Sequence, residues 1–148
     1  MSTANASDAK VQAVISYFEK VDAGDASFLG LFDDNVEFFF PKFGTTRGKD
    51  SLIAFAGKMG ASLGSIWHDI PGFNFIVSGQ TVVVEGQEGG TMKDGTTWPD
   101  GDVSQGRFCS VFEFSGDLIT RMYIYADPDY PGHDAERISV LHGAASEA

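Results

Sequence analysis

Apolar residues recur along the first part of the chain at the helical spacing of three and four, and along the rest at the alternating spacing of strands. Val14, Tyr17, Phe18 and Val21 form one stripe. With Ser7 as cap and Gly24 as stop, they predict a helix through about residue 23. Asp25 can cap a second, short helix over about 26–32, which Asp33-Asp34-Asn35 breaks with turn chemistry. A strand over 36–40 is closed by Pro41, and Gly44-Thr45-Thr46-Arg47-Gly48 reads as a loop. Leu52, Ile53, Phe55, Ala56 and Met59 then give the apolar face of a third helix over about 49–61.

From Ser65 onward, strands are punctuated by glycine. Residues 65–70 and 73–77 read as one long strand bent at Pro71-Gly72, because proline within a sheet demands a bulge or an edge. A further strand begins over 81–85. Lys93-Asp94-Gly95 and Pro99-Asp100-Gly101 mark turns, and Ser115-Gly116-Asp117 joins strands over 107–114 and 118–126 as a hairpin. A short helix near 135–142 precedes frayed residues at 143–148. The chain therefore predicts one α+β domain over 1–148. Its core spans about 8–127, its tail 128–148, and three N-terminal helices pack in a curved, mainly antiparallel sheet.

Alternation sorts the strand residues by face. Val36, Phe38 and Phe40 share one side, as do Phe108, Ser110 and Phe112, and likewise Met122, Ile124 and Ala126. Set against Val14, Tyr17 and Val21 of the first helix and Phe55 of the third, these walls describe either an apolar small-molecule cavity or a solidly packed core. On the opposite sheet face, Phe39, Val111, Tyr123 and Tyr125 form an aromatic surface suited to self-association, so a homodimer through that face is expected.

Composition narrows the partners. Acidic residues outnumber basic ones by 21 to 10, a net charge of −11 that opposes nucleic acids and anionic membranes. No apolar run approaches the roughly 20 residues that cross a bilayer. Residues 1–8 lack the basic and apolar regions of a signal peptide. The single cysteine, Cys109, and the lack of zinc-ligand spacing point to a reducing, cytoplasmic setting with no structural metal.

Few residues carry candidate chemistry. His68, between Trp67 and Ile70 in a strand, can shuttle protons in partly desolvated surroundings, or can simply hydrogen-bond the sheet. Tyr17 can aim a phenol into the cavity as an oxyanion donor, or bury it as a core residue does. Asp22 and Asp25 bracket a helix stop and a helix start, where capping competes with a site role. Asp127-Pro128-Asp129 places two acids near the open end of the sheet, either at a pocket mouth or in a rigid turn. Trp98 before Pro99 is either a lid or the packing of a loop. His133 and His142, in the tail, read as surface residues.

The order of elements, the helix end Val21-Asp22-Ala23-Gly24-Asp25, the lead-in Arg47-Gly48-Lys49-Asp50 and the last hairpin Phe112-Glu113-Phe114-Ser115-Gly116-Asp117-Leu118-Ile119 resemble the nuclear transport factor 2-like superfamily. More narrowly, they resemble its SnoaL-like branch over about 11–127. The resemblance implies a cone-shaped, cystatin-like fold that hosts unrelated chemistries. Against steroid isomerases in that superfamily, Tyr17 matches the first-helix tyrosine, but Phe40 stands at the base and a position near Ser110 at the second acid; phenylalanine cannot remove a proton. Against limonene-epoxide hydrolases, Ile124 and Arg107-Phe108-Cys109 replace the acids. Against scytalone dehydratase, Trp67-His68-Asp69-Ile70-Pro71-Gly72 matches the strand that begins with a histidine, and Asp22 lies close to the helix-end aspartate, while 104–107 lacks the second histidine.

The resulting expectation is a cofactor-independent protein binding a small hydrophobic, oxygenated molecule such as a polyketide or terpenoid. His68, Tyr17, Asp127 and Asp22 are its catalytic candidates for isomerisation, cyclisation or dehydration. Val14, Val21, Phe38, Phe40, Phe55, Trp67, Trp98, Phe108, Ser110, Phe112, Met122 and Ile124 are its ligand contacts. The alternative is a non-catalytic domain that binds a small ligand or a protein through the same cavity or the outer sheet.

Overall fold

A 21-residue helix, α1 (Thr3–Ala23), starts the chain and ends at Gly24, whose φ of +68° is the left-handed stop that glycine adopts without strain. The computed structural model describes residues 3–100 and 105–130, with the side chains of α1 from residue 9 onward. Ser7 lies inside α1 rather than at its cap, because the helix begins at Thr3. Asp25 does cap the next segment, accepting the Ser27 N–H at 2.9 Å. That segment is a six-residue 3-10 helix (Ala26–Leu31), so the second, short helix takes the tighter 3-10 form and only two of the three helices are long α-helices.

Strand β1 (Phe32–Phe40) begins earlier than its apolar run suggests. Asp33-Asp34-Asn35 makes its turn within the strand, where Asn35 N–H donates to Asp33 Oδ1 at 2.8 Å and the register to the neighbouring strand shifts. The segment expected as a loop is an edge strand, β2 (Gly44–Arg47), paired antiparallel with β1. Helix α2 (Lys49–Ser62) then leads into β3 (Leu63–His68). A 3-10 turn at Ile70–Gly72 separates β3 from β4 (Asn74–Ser78), so the proline bend divides two strands rather than bulging one. Both pair with the long strand β5 (Thr81–Met92), β4 along its first half and β3 along its second. The short β6 (Thr97–Trp98), β7 (Arg107–Ser115) and β8 (Leu118–Ala126) complete one mixed sheet of order β2-β1-β8-β7-β5-β3, in which, among the described residues, only the β1–β8 pair is parallel. The possible helix near 135–142, the tail histidines and residues 101–104 lie outside the described residues.

The inward phase of the sheet is the predicted one. Val36, Phe38 and Phe40 on β1, Phe108, Ser110 and Phe112 on β7, and Met122 on β8 are buried, while Tyr125 on the other face is exposed. α1 lays Val14, Tyr17 and Phe18 on this concave surface, and Tyr17 meets Phe18, Phe32 and Phe112 edge to face at centroid distances of 5.0, 5.6 and 5.8 Å. Among the described residues no helix is long and apolar enough to cross a membrane.

Candidate active site

Between the second half of α1, α2 and the concave face of the sheet lies a cavity of about 520 Å³, within the range of small-molecule sites. Most of its wall is apolar, with Phe40, Leu52, Phe55, Met59, Phe108, Met122 and Ile124 among the lining side chains. The polar groups that reach it are few: Tyr17, Lys20, Asp22 and Asp25 from the α1 end, Ser65 and His68 from β3, Glu88 from β5, Ser110 from β7, and Tyr130.

Asp22 occupies the last turn of α1, where the negative end of the helix dipole disfavours a carboxylate by about 0.3–1 kcal/mol. Strand β3 supplies the compensation. Asp22 Oδ2 accepts the backbone N–H of His68 at 2.8 Å, and Oδ1 lies 2.5 Å from His68 Nδ1. Two bonds from one residue to one carboxylate fix both the strand and the ring. With a carboxylate as the acceptor, they assign the ring proton to Nδ1 and leave Nε2 as the other ring nitrogen of the neutral tautomer. The imidazole is nine-tenths buried and sits 4.7 Å from the Phe18 ring and 5.5 Å from Phe108, centroid to centroid. Gly86 makes room behind it: a Cβ there would stand 2.5 Å from Phe73 Cδ1 and 3.0 Å from Phe108 Cε1.

Glu88 is directly opposite His68 across the β3–β5 pair, is 5 % exposed, and has an Oε2 without a hydrogen-bond partner among the described residues. Burial pushes its carboxyl up to about 7, helped by the nearby Asp22 carboxylate and opposed by His68. The alternating phase Val82, Val84, Gly86, Glu88 carried this signal in the sequence, but only if β5 continues through Gly86. Burial also raises the phenols of Tyr17 and Tyr130, with Glu88 adding to each, so both stay protonated and able to donate. Tyr130 is another polar lining residue that periodicity missed, since it follows the last strand in a turn.

Of the residues expected at a site, the cavity gathers Tyr17, Val21, Asp22, Phe40, Phe55, His68, Phe108, Ser110, Met122 and Ile124. Others lie elsewhere for identifiable reasons. Val14 and Phe112 are fully buried in the core beneath the cavity, and Phe38 is shielded from it by Phe55, 4.8 Å away ring to ring. Trp67 neighbours the inward-facing His68 on a strand, so it points to the other face, where it is 44 % exposed and lies over Gly89. Trp98 is buried and stacks on Tyr130 at 4.5 Å, packing its loop rather than lining the main cavity. Asp127 accepts the Asp129 N–H at 2.9 Å in a turn and borders a separate cavity of about 20 Å³ with Glu88 and Trp98. Asp25, by contrast with Asp22, serves its helix cap and pairs with Lys20 at 3.7 Å. Among the described residues no three His, Cys, Asp or Glu side chains are grouped as metal ligands would be.

The chain belongs to the SnoaL-like domain family, whose model matches residues 14–122. An NTF2-like protein of unknown function from Burkholderia pseudomallei is 21% identical, with 90% of this chain and 97% of that one covered at a TM-score of 0.69. A candidate polyketide cyclase from Pseudomonas putida is 18% identical over 84% of this chain and 95% of its own, with a TM-score of 0.70. TerC, co-crystallised with polyporic acid, is 20% identical over 95% and 99%, with a TM-score of 0.68. At these identities the shared property is the NTF2-like α+β fold with its mixed sheet. No curated protein matches the sequence.

Proposed function

We propose that this protein is a cofactor-independent enzyme that moves a proton on a hydrophobic, oxygenated small molecule of polyketide or terpenoid type, in an isomerisation, cyclisation or dehydration. One observation carries the reading: an imidazole clamped by a carboxylate through Nδ1 stands in the wall of an otherwise apolar cavity of about 520 Å³. Such a ring has its tautomer and orientation set before a ligand arrives, which is what a general base needs. Tyr17, neutral and buried, supplies a donor to a carbonyl or enolate oxygen. Phe40 and Ile124, the positions at which the resemblance to steroid isomerases and limonene-epoxide hydrolases would put carboxylates, line the cavity as apolar residues, so the proton-carrying role falls to His68. The polyketide cyclase name of one structural neighbour and the polyporic acid bound with another support the ligand class.

Thermal shift with a panel of ketones and polyketide-like aromatics tests the cavity reading. A ligand at a hundredfold excess over its Kd stabilises the fold by about 2.7 kcal/mol, a rise in Tm of roughly 5–10 °C. A panel without any shift contradicts the reading. Binding without turnover supports the alternative, a non-catalytic ligand-binding domain.

The outer sheet face supports a homodimer. Phe39, Tyr123 and Tyr125 form an aromatic patch with centroid distances of 5.4 and 5.6 Å from Phe39, and Tyr125 is 47 % exposed. Arg121 lies 3.8 Å over the Tyr123 ring and pairs with Glu113 at 2.7 Å, so charges at the patch margin are already neutralised. Tyr125→Glu should convert a dimer to a monomer in light scattering after size exclusion; a wild-type protein that is itself monomeric contradicts the proposal.

A further inference from the structure

We propose that Glu88 is a second proton-transfer group of the cavity, the acid that faces the His68 base across the β3–β5 pair. The inference rests on the reading of His68 above and extends it to a reaction in which one carbon loses a proton while a carbonyl oxygen gains one. The two residues are Cα partners in an antiparallel pair. Residues so opposed have Cβ atoms about 4.5–5.5 Å apart on one face of the sheet, and both side chains line the same cavity.

Three other carboxylates on the described strands are held by donors. Glu37 meets Arg47 at 2.6 Å, Glu113 meets Arg121 at 2.7 Å, and Glu85 accepts from Asn74 at 2.8 Å. Glu88 is more deeply buried than any of these, yet its Oε2 has no partner among the described residues. An unmet buried oxygen costs about 1–3 kcal/mol, and a ligand in the cavity would recover that loss by accepting from the protonated acid. Burial favours that protonated form. Glu88 also borders the second cavity, about 20 Å³, beside Trp98, whose buried Nε1 likewise lacks a partner among the described residues. That volume suits about one water molecule, which would accept from the indole N–H and reprotonate the carboxylate from the side away from the ligand.

The step balances within the protein. His68 Nε2 takes a proton from the carbon beside a ligand carbonyl, and the freed electron pair moves onto the carbonyl oxygen. That oxygen takes the carboxyl proton of Glu88. An enol, an imidazolium and a carboxylate result, and the reverse transfers return a proton to the same or a conjugated carbon. A cavity furnished in this way selects neutral, enolisable ketones with an aromatic or polycyclic body. It disfavours free carboxylic acids, because Asp22 and Asp25 already bring two carboxylates to the wall against Lys20.

The test uses 2-tetralone, a neutral enolisable ketone, in D2O, with exchange of its α-protons followed by proton NMR. The full-length wild-type protein should accelerate exchange, with a rate that falls as pH rises through about 7. Glu88→Gln, which keeps the shape and charge of the protonated acid, should lower the rate about 100-fold or more, abolish that fall, and leave the thermal shift by 2-tetralone intact. Glu88→Asp should recover part of the rate. A Glu88→Gln rate and pH profile equal to wild type overturns the assignment of Glu88 and leaves His68 standing. A His68→Ala rate equal to wild type, with Glu88→Gln slow, overturns the His68 reading instead. A wild-type protein that leaves exchange unaccelerated overturns both.

Discussion

His68→Ala should lose about 10²- to 10⁴-fold in turnover on any substrate of the cavity while its affinity for that substrate falls by no more than about tenfold, 1.4 kcal/mol. The asymmetry follows from the division of labour in the wall. Phe40, Phe55, Phe108, Met122 and Ile124 line the cavity with apolar surface that would hold a ligand, whereas the imidazole would contribute one small edge and the Nε2 atom. The substitution also strips the Nδ1 bond from Asp22, a charge-assisted contact of about 1.5–3 kcal/mol, so a measurable drop in Tm accompanies the loss of turnover. Asp22→Asn separates the two effects. Its amide oxygen can still accept the His68 backbone N–H, but it removes the charge that stabilises an imidazolium, so turnover should fall between wild type and His68→Ala. On the proposed reading Asp22 acts through the ring, as a positioning residue. Comparison of steady-state kinetics for the three proteins checks the order. Full turnover in Asp22→Asn would show that the clamp is only structural.

The second large effect is on stability. Glu88 has a folded-state value of about 7 against an ordinary 4.5. Between those values the folded chain binds a proton that the unfolded chain has released, so stability falls as pH rises through this window and levels off above it. The full span corresponds to roughly 3 kcal/mol. Glu88→Gln cannot ionise, so its urea-denaturation free energy should exceed that of wild type increasingly from about pH 5 to pH 8. The difference between the two curves isolates Glu88 from the general repulsion of a chain with net charge −11. Parallel curves across this range would mean that the carboxyl is solvated or charged throughout.

Periodicity made much of the scaffold legible. The stripe of α1, its stop at Gly24, the cap at Asp25 and the inward phase of β1, β7 and β8 all follow from residues whose burial preference has no rival at their positions. The cavity residues on those elements, such as Tyr17, Phe40 and Ser110, were legible for the same reason. Two kinds of element were harder to see. Gly44–Arg47 forms an edge strand with no apolar period, because its partner β1 supplies the ladder and its side chains face solvent. In β5 the glycine at 86 looks like a terminator, yet it is small so that Phe73 and Phe108 can back the histidine. Stopping the strand there hides Glu88 two residues further on. Trp67 and His68 cannot both face the site, because adjacent strand residues point opposite ways and Trp67 is the exposed one. The clamp between Asp22 and His68 joins residues 46 apart and appears only once α1 lies against β3.

The central claim is that Asp22 holds the Nδ1 proton of His68 and leaves Nε2 bare toward the cavity. Nitrogen-15 NMR of the imidazoles tests this most directly, with the His68 signals assigned by their loss in His68→Ala from a chain of three histidines. At a pH where the ring is neutral, the account predicts a protonated Nδ1 and an unprotonated Nε2 whose shift moves when a cavity ligand binds. A proton found on Nε2, or an Nε2 signal indifferent to ligand, would contradict it.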